Sequence, residues 1–404
     1  MRFADLPLSD MQKTYRQFLR YAGCLQGDEA FTGPKRAEIH LTNKCNLDCI
    51  ACWTFSPLLR GTNQLPQVEI AWNKAERLIR DLAKGGCEEV LFVGGGEPMV
   101  HPNIMEALEL VKSLGMSAFV TTNMTPVTPK RVQQLVEMGV DRVYVSLWAA
   151  SPEVYDITHP NVSGEEFRKI DSILREFDRI KSERGKLKPE VIIHNVIFNR
   201  NYHEVGAMID YAIARNVQAV QFTLAYTLPG RTDVLLMGEE QRGEVIRQLD
   251  AIPKEIYAKA GIHGAGSFLW EIDIFRSRVA GDRTVEGRYD TPLLDSLPCR
   301  IGWFFTVIRA NGDVIPCCKG QLKPMGNINN ESFQEIWNNS KYNTFRNKGK
   351  NLPKSDPYFA EIDCLKMCDN VGQLRTIDQC MTKLRPMEGA TEMAMPIIRR
   401  LKSG

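Results

Sequence analysis

"EEVLFVGGGEPMVHPNIMEALELVKSLGMSAFVTTN", residues 88–123, holds two short apolar runs around one longer amphipathic segment. "EEVLFVG" reads as a strand, "HPNIMEALELVKSLGM" as a helix and "AFVTTN" as a second strand. A strand, a helix and a strand in that order make a parallel pair, because only a crossover lets the second strand run beside the first in the same direction. The same unit recurs on both sides. Upstream lie "AEIHLT" (37–42) and "VEIAWNKAERLIRDLAKGG" (68–86), a helix closed by glycines. Downstream, "TPKRVQQLVEMGV" is a helix with Thr128 as N-cap and Pro129 in its first turn. Then come "DRVYVSL", the long helix "GEEFRKIDSILREFDRIKSERG", "EVIIHNV", the helix "NYHEVGAMIDYAIARN" and "VQAVQFTLAY". Six strands alternating with helices predict a parallel sheet wrapped by helices, an open partial (β/α)6 barrel.

The unusual residues fall at the carboxyl ends of those strands. A cysteine loop follows the first strand and "GGGEP" (94–98) the second. "TTN" (121–123) closes the third, "SLW" (146–148) the fourth, Asn195 the fifth and "LAYT" (224–227) the sixth. That is the face on which barrels build active sites.

Composition narrows the class. The chain has 404 residues, 25% of them charged, and a formal net charge of +2. This balance offers no electrostatic case for nucleic acid, and the basic end "RRLKSG" reads as a solvated tail. The N-terminus is charged and amphipathic without a long apolar run, so neither a secretory signal nor a membrane span is expected, and the location expected is cytoplasmic. There the eleven cysteines are not a disulfide framework. Three of them, Cys45, Cys49 and Cys52, are crowded into one loop, and six fall in the last third. Two groups imply two inorganic sites. A closed zinc site or an electron-carrying iron–sulfur cluster takes four protein ligands, so three thiols leave one metal position open.

With "CNLDCIACW" (45–53) the chain resembles the radical S-adenosylmethionine (SAM) enzymes, whose CxxxCxxC motif is matched by Cys45, Cys49 and Cys52. Ala51 stands where the family usually has an aromatic residue, and Trp53 supplies apolar cover one step beyond the motif. The resemblance implies a [4Fe–4S] cluster whose open iron binds SAM and whose reduced form yields a 5′-deoxyadenosyl radical. It also implies cofactor contacts. Gly95, Gly96 and Glu97 would meet the SAM amino group, Ser146 and Asn195 the ribose and carboxylate, and Thr122 and Asn123 are weaker candidates.

Cys299 is followed by twelve residues, Gly312, four residues and Cys317, which resembles the first half of the SPASM and twitch extensions that carry auxiliary [4Fe–4S] clusters. "GWFFTVIRANGDVIPCC" (302–318) reads as two strands turned by Asn311-Gly312, and "NESFQEIWNNSKYNTFRNKG" as one helix. Cys364 and Cys368 complete a single twitch-like set. The CxxC pair of a full SPASM domain is missing, because no cysteine lies between 318 and 364. Cys318 and Cys380 remain as substitutes, with Cys380 also a candidate hydrogen donor, and zinc is the alternative metal.

The expected organisation is α/β: an N-terminal helical extension (1–34), a radical SAM partial barrel (35–235), a connecting helical region (236–295), a small cysteine-rich α+β auxiliary-cluster domain (296–385) and a tail (386–404). Two [4Fe–4S] clusters and SAM are the expected cofactors. The expected activity is hydrogen abstraction from a C–H bond, with oxidation through the auxiliary cluster and a donor such as flavodoxin or ferredoxin feeding the first. About 35 residues precede the first strand, too few for the peptide-binding domain of many peptide-modifying relatives. That favours a small polar substrate (sugar, aminocyclitol or nucleotide-like), with "LWAASPEVYDITHPN" lining its pocket through Trp148, Tyr155 and His159. The alternatives are peptide maturation, epimerisation with a cysteine hydrogen donor, and a non-catalytic iron–sulfur or zinc scaffold.

Overall fold

The computed structural model describes residues 10–61, 65–262 and 267–384; the expected tail (386–404) and the first nine residues of the expected extension lie outside them. Ten strands are named here: β1 (Arg36–Ile39), β2 (Glu89–Phe92), β3 (Ser117–Thr122), β4 (Arg142–Ser146), β5 (Glu190–Ile197), β6 (Ala219–Leu224), β7 (Leu269–Trp270), β8 (Phe305–Ile308), β9 (Asp313–Ile315) and β10 (Gly326–Asn327). They form one sheet in the order β10-β9-β8-β1-β2-β3-β4-β5-β6-β7. From β8 through β1 to β7 every neighbouring pair is parallel.

The crossover helices begin and end where their sequences direct. Trp72–Gly85 stops at Gly86, whose φ of 93° suits glycine. Thr128 accepts a hydrogen bond from Arg131 N to open Pro129–Met138, and Ser163 opens the 21-residue helix Gly164–Arg184. Side chains alternate across each strand. Val90, Phe92, Ala118, Val120, Val143 and Val145 pack outward into the main core. Leu91, Phe119, Tyr144, Ile192 and Ala219 form a separate layer inside the barrel. Below that layer Arg36 pairs with Glu89 at 2.7 Å and Arg142 with Glu190 at 2.8 Å. Both guanidinium groups cover the Phe119 ring, at 5.3 and 5.2 Å.

Three features depart from the sequence reading. The connecting segment adds β7, a two-residue strand, to the sheet beside its helices. The helix expected over 330–349 is two, Phe333–Trp337 and Ser340–Asn351, because the Asn339 side chain accepts from Tyr342 N and restarts the chain there. The cysteine-rich region also does not stand apart. β8 pairs in parallel with β1, Arg36 opposite Phe305 through Ile39 opposite Ile308. Without it β1 would be an open edge of unpaired backbone groups. The Asn311-Gly312 turn forms as expected, Gly312 having φ 90°.

Among the described residues no helix is long and apolar enough to cross a membrane. A chain ended at Pro298 would lose the partner of β1 and the buried Trp303, Phe304, Phe305, Val307 and Ile308. At about 1.5–3 kcal/mol for each such side chain, that matches a typical total stability of about 5–15 kcal/mol. We expect the 1–298 chain to show no cooperative thermal transition by circular dichroism; a sharp one would show the barrel to be self-sufficient.

Candidate functional site

The cysteine loop leaves β1 and is tied down on several sides. Asn43 N donates to Val68 O at 2.9 Å and Ile50 N to Thr158 O at 2.9 Å. Asp48 N donates to Asn161 Oδ1 at 3.2 Å, and Asn123 Nδ2 to Asn46 Oδ1 at 3.0 Å. Ile50 and Ala51 pack with Trp148 and Phe198. The three thiols are near enough to disfavour one another's ionisation. Burial, then the charges of Cys52 and Cys45, raise Cys49 well above the ordinary thiol range. Burial likewise pushes Cys45 up to about 12. Such a group is neutral unless a cation draws the protons off. Cys52 Sγ also accepts from Thr54 N at 3.4 Å and Phe55 N at 3.2 Å, bonds that suit a metal-bound sulfur. The donor set fits an iron–sulfur cluster.

"GGGEP" serves this loop directly. Gly96 N donates to Thr42 O at 3.1 Å and Glu97 N to Lys44 O at 2.9 Å. A Cβ on Gly96 would stand 2.0 Å from Lys44 O, and one on Gly95 2.4 Å from Asn43 Oδ1. Glycine is needed here for the close approach of the cysteine loop, its backbone at Gly96 and the Asn43 side chain at Gly95, where the sequence reading gave SAM as the reason. The Glu97 carboxylate is 3% exposed and accepts from Met99 N at 2.8 Å and Asn123 N at 2.7 Å. Burial raises it to about 7. It thus clamps the ends of β2 and β3 together.

Thr122 Oγ1 accepts from Met124 N at 2.9 Å, and Asn123 joins the loop through Asn46. Ser146 is half-buried at the end of β4. Asn195 is fully buried; its Oδ1 accepts from Trp148 N at 2.9 Å while its Nδ2 has no partner. A buried orphan donor suits a site that a ligand completes. Trp148, Tyr155 and His159, expected to line the substrate pocket, are not among the residues that line the large cavity of the barrel. They stack on one another, with Tyr155 and His159 centroids 4.1 Å apart, and all three are buried.

The barrel interior opens into a cavity of about 1330 Å³ that reaches the cysteine-rich segment. Trp53, Thr121 and His194 line its barrel side, and Cys318, Lys319 and Asp369 the other. Cys318 Sγ lies 3.5 Å from Glu38 Oε2, and Lys319 pairs with Asp369 at 3.5 Å while covering the Tyr226 ring at 3.8 Å. Glu38, His40 and His194 were missed in the sequence. Their signal was present as the alternate, inward positions of β1 and β5.

Cys299, Cys317, Cys364 and Cys368, far apart in sequence, line one small apolar cavity, joined by Cys318. Burial pushes Cys317 up to about 12 and raises the others, so this set also needs cations to ionise. Cys318 alone among them also lines the large cavity. Cys380 lies on the helix Val371–Leu384 beside Tyr21 and lines neither cavity. Among the described residues no three His, Cys, Asp or Glu converge on one ion, the arrangement a zinc site would need.

Two predictions follow from this geometry. Gly96→Ala should displace Lys44, cost about 1–3 kcal/mol of stability and lower iron in the first cluster. Gly206→Ala, whose Cβ would meet nothing nearer than 3.7 Å, is the control. Normal iron in Gly96→Ala would refute the packing argument. Burial holds His159 down at about 3, so the unfolded chain takes up a proton near pH 6.5 that the folded chain refuses. Stability is therefore complete above pH 6.5 and falls as pH drops towards 3, by at most about 1.4 kcal/mol per pH unit. His159→Phe should flatten that slope in denaturant titrations.

Comparison with known proteins accords with this site. Residues 39–212 match the Radical SAM superfamily and residues 299–361 an iron–sulfur cluster-binding domain, SPASM. The tungsten-containing aldehyde ferredoxin oxidoreductase cofactor-modifying protein of Pyrococcus furiosus is 23% identical over 78% of this chain and 83% of its own. A PqqA peptide cyclase of Streptomyces rochei is 25% identical over 80% of each. The crystal structure of Streptococcus suis SuiB bound to precursor peptide SuiA superposes with a TM-score of 0.60 at 15% identity, over 91% of this chain and 79% of that one. The family matches imply two [4Fe–4S] clusters and SAM as cofactors, and the fold gathers cysteines at two places. The chain is a radical SAM enzyme with a C-terminal SPASM-type iron–sulfur domain.

Proposed function

We propose that this enzyme is a maturase that abstracts hydrogen from a C–H bond of a peptide segment, the auxiliary cluster taking up the remaining electron. The observation that carries this reading is the cavity of about 1330 Å³ that runs from the barrel interior, at Trp53 beside the first cysteine loop, to Cys318 on the cysteine-rich segment. Small-molecule sites occupy roughly 300–1,000 Å³. This one exceeds that range, as a substrate longer than a sugar or aminocyclitol would need. The peptide cyclase and the peptide-bound SuiB support the same reading, and the expectation of a small polar substrate gives way to it.

Bound cluster and SAM supply the 5′-deoxyadenosyl radical; the chain supplies position and enclosure. Trp53 and Thr121 wall the cavity on the barrel side. Leu91 and Tyr144 of the inner layer line it lower down, with Arg36 and Glu89 beyond them. At the far end Cys318 touches both cavities, so a substrate resting there lies against the wall of the auxiliary site. Lys319, held over Tyr226 and paired with Asp369, keeps a fixed charge at that wall.

The test is anaerobic reconstitution followed by 5′-deoxyadenosine assay with unstructured peptides and, separately, with monosaccharides and aminocyclitols. Peptides should stimulate turnover; stimulation by the small molecules alone would overturn the reading. Replacing Cys299, Cys317, Cys364 and Cys368 by alanine should remove about four irons per chain and stop substrate oxidation while 5′-deoxyadenosine still forms. Unchanged iron in that variant would place the auxiliary cluster elsewhere.

A further inference from the structure

We propose that Arg309 and His40 form a carboxylate-binding subsite in the wall of the large cavity, reading an acidic side chain or the terminal carboxylate of the substrate. This rests on, and deepens, the peptide reading. β1 and β8 end in register, Ile39 beside Ile308, so the next residues, His40 and Arg309, leave the sheet side by side. His40 N donates to Ile308 O at 2.8 Å. Both side chains line the cavity. The hairpin turn fixes Arg309, whose N donates to Asp313 O and whose carbonyl accepts from Gly312 N, each at 2.8 Å.

What marks Arg309 is the lack of a counter-ion. Arg36 and Lys35 pair with Glu89, Arg278 with Asp290 and Lys319 with Asp369. No ion pair to Arg309 exists among the described residues; Arg375, on the last helix, shares this lack, but Arg309 also has an imidazole beside it. Burial lowers the Arg309 guanidinium, although the charge of Asp313 acts on it without forming an ion pair, and a carboxylate meeting its planar fork relieves the cost of that burial. Burial, and then the charge of Arg309, hold His40 down at about 4. Its imidazole is therefore neutral at pH 7, able to donate one N–H without adding charge. One cation and one neutral donor match a monoanion better than a phosphate. Glu38, two residues before His40 on the same inward face, is raised by burial to about 7, so the carboxylate nearest the subsite carries only part of its charge at neutral pH.

The carboxylate could come from the substrate or from SAM, and the experiment separates them. Calorimetry on the anaerobically reconstituted enzyme would compare N-acetylglutamate α-amide, its neutral isostere N-acetylglutamine α-amide, and SAM. Intact enzyme should prefer the acidic probe by about tenfold, Arg309→Gln should abolish the preference and Arg309→Lys keep part of it, with SAM affinity unchanged. No preference in the intact enzyme, or its survival in Arg309→Gln, would overturn the subsite. So would a large loss of SAM affinity in Arg309→Gln, which would assign the anion to SAM. If Arg309→Gln unfolds, His40→Leu is the second route, expected to weaken the acidic probe and spare the amide; equal binding of both would overturn the proposal. Acidic-probe binding together with failure of every peptide would sink the peptide reading and leave the subsite standing.

Discussion

The parallel pairing of β8 with β1 is the constraint from which the rest of the molecule follows. It runs over four residue pairs, and both strands are anchored in the core. The strand that launches the first cysteine loop is thereby bonded to the one that follows Cys299 and precedes Cys317. The two cysteine sets are therefore fixed relative to one another by backbone hydrogen bonds, and no flexible linker intervenes. The space left between barrel mouth and auxiliary segment becomes the cavity. Its size is set by the sheet.

Burial acts in opposite directions on the two kinds of titratable group in this space. It raises the thiols at both cysteine sets, so neither ionises without metal. It also lowers His40, His159 and His194, to about 4, about 3 and about 4, leaving their rings neutral. The interior thus carries little positive charge except on guanidinium and ammonium groups. Most of these already hold a carboxylate. The fixed ion pairs Arg36–Glu89 and Arg142–Glu190 close the lower end of the barrel, leaving the strand ends open for chemistry.

The glycines at 95 and 96 have a packing role that their motif did not reveal. Their positions after β2 pointed to the cofactor, and the fold sets them against the cysteine loop. Yet the missing Cβ atoms make way first for Asn43 and Lys44, the approach to the cysteine loop. Glu97 likewise is committed to Met99 N and Asn123 N, which align the second and third strand ends. Trp148, Tyr155 and His159 looked like pocket residues because aromatic and histidine side chains gather there. In the fold they support the cysteine loop from beneath.

Strand and helix order, the glycine and threonine caps, the Asn311-Gly312 turn and both cysteine groupings were legible in the sequence, because each depends on residues close together along the chain. The spacing of Cys45, Cys49 and Cys52, through its resemblance to the radical SAM motif, pointed to the chemistry. What required the tertiary structure was every relation between distant segments. The union of the cysteine-rich region with the barrel sheet depends on β8 meeting β1, some 270 residues apart. That Cys299, Cys317, Cys318, Cys364 and Cys368 share one cavity while Cys380 lies elsewhere depends on packing between distant segments. The pairing of His40 with Arg309 depends on strand register, which no local pattern records. Local propensity and spacing determine elements and ligand types; only packing decides which of them share a wall.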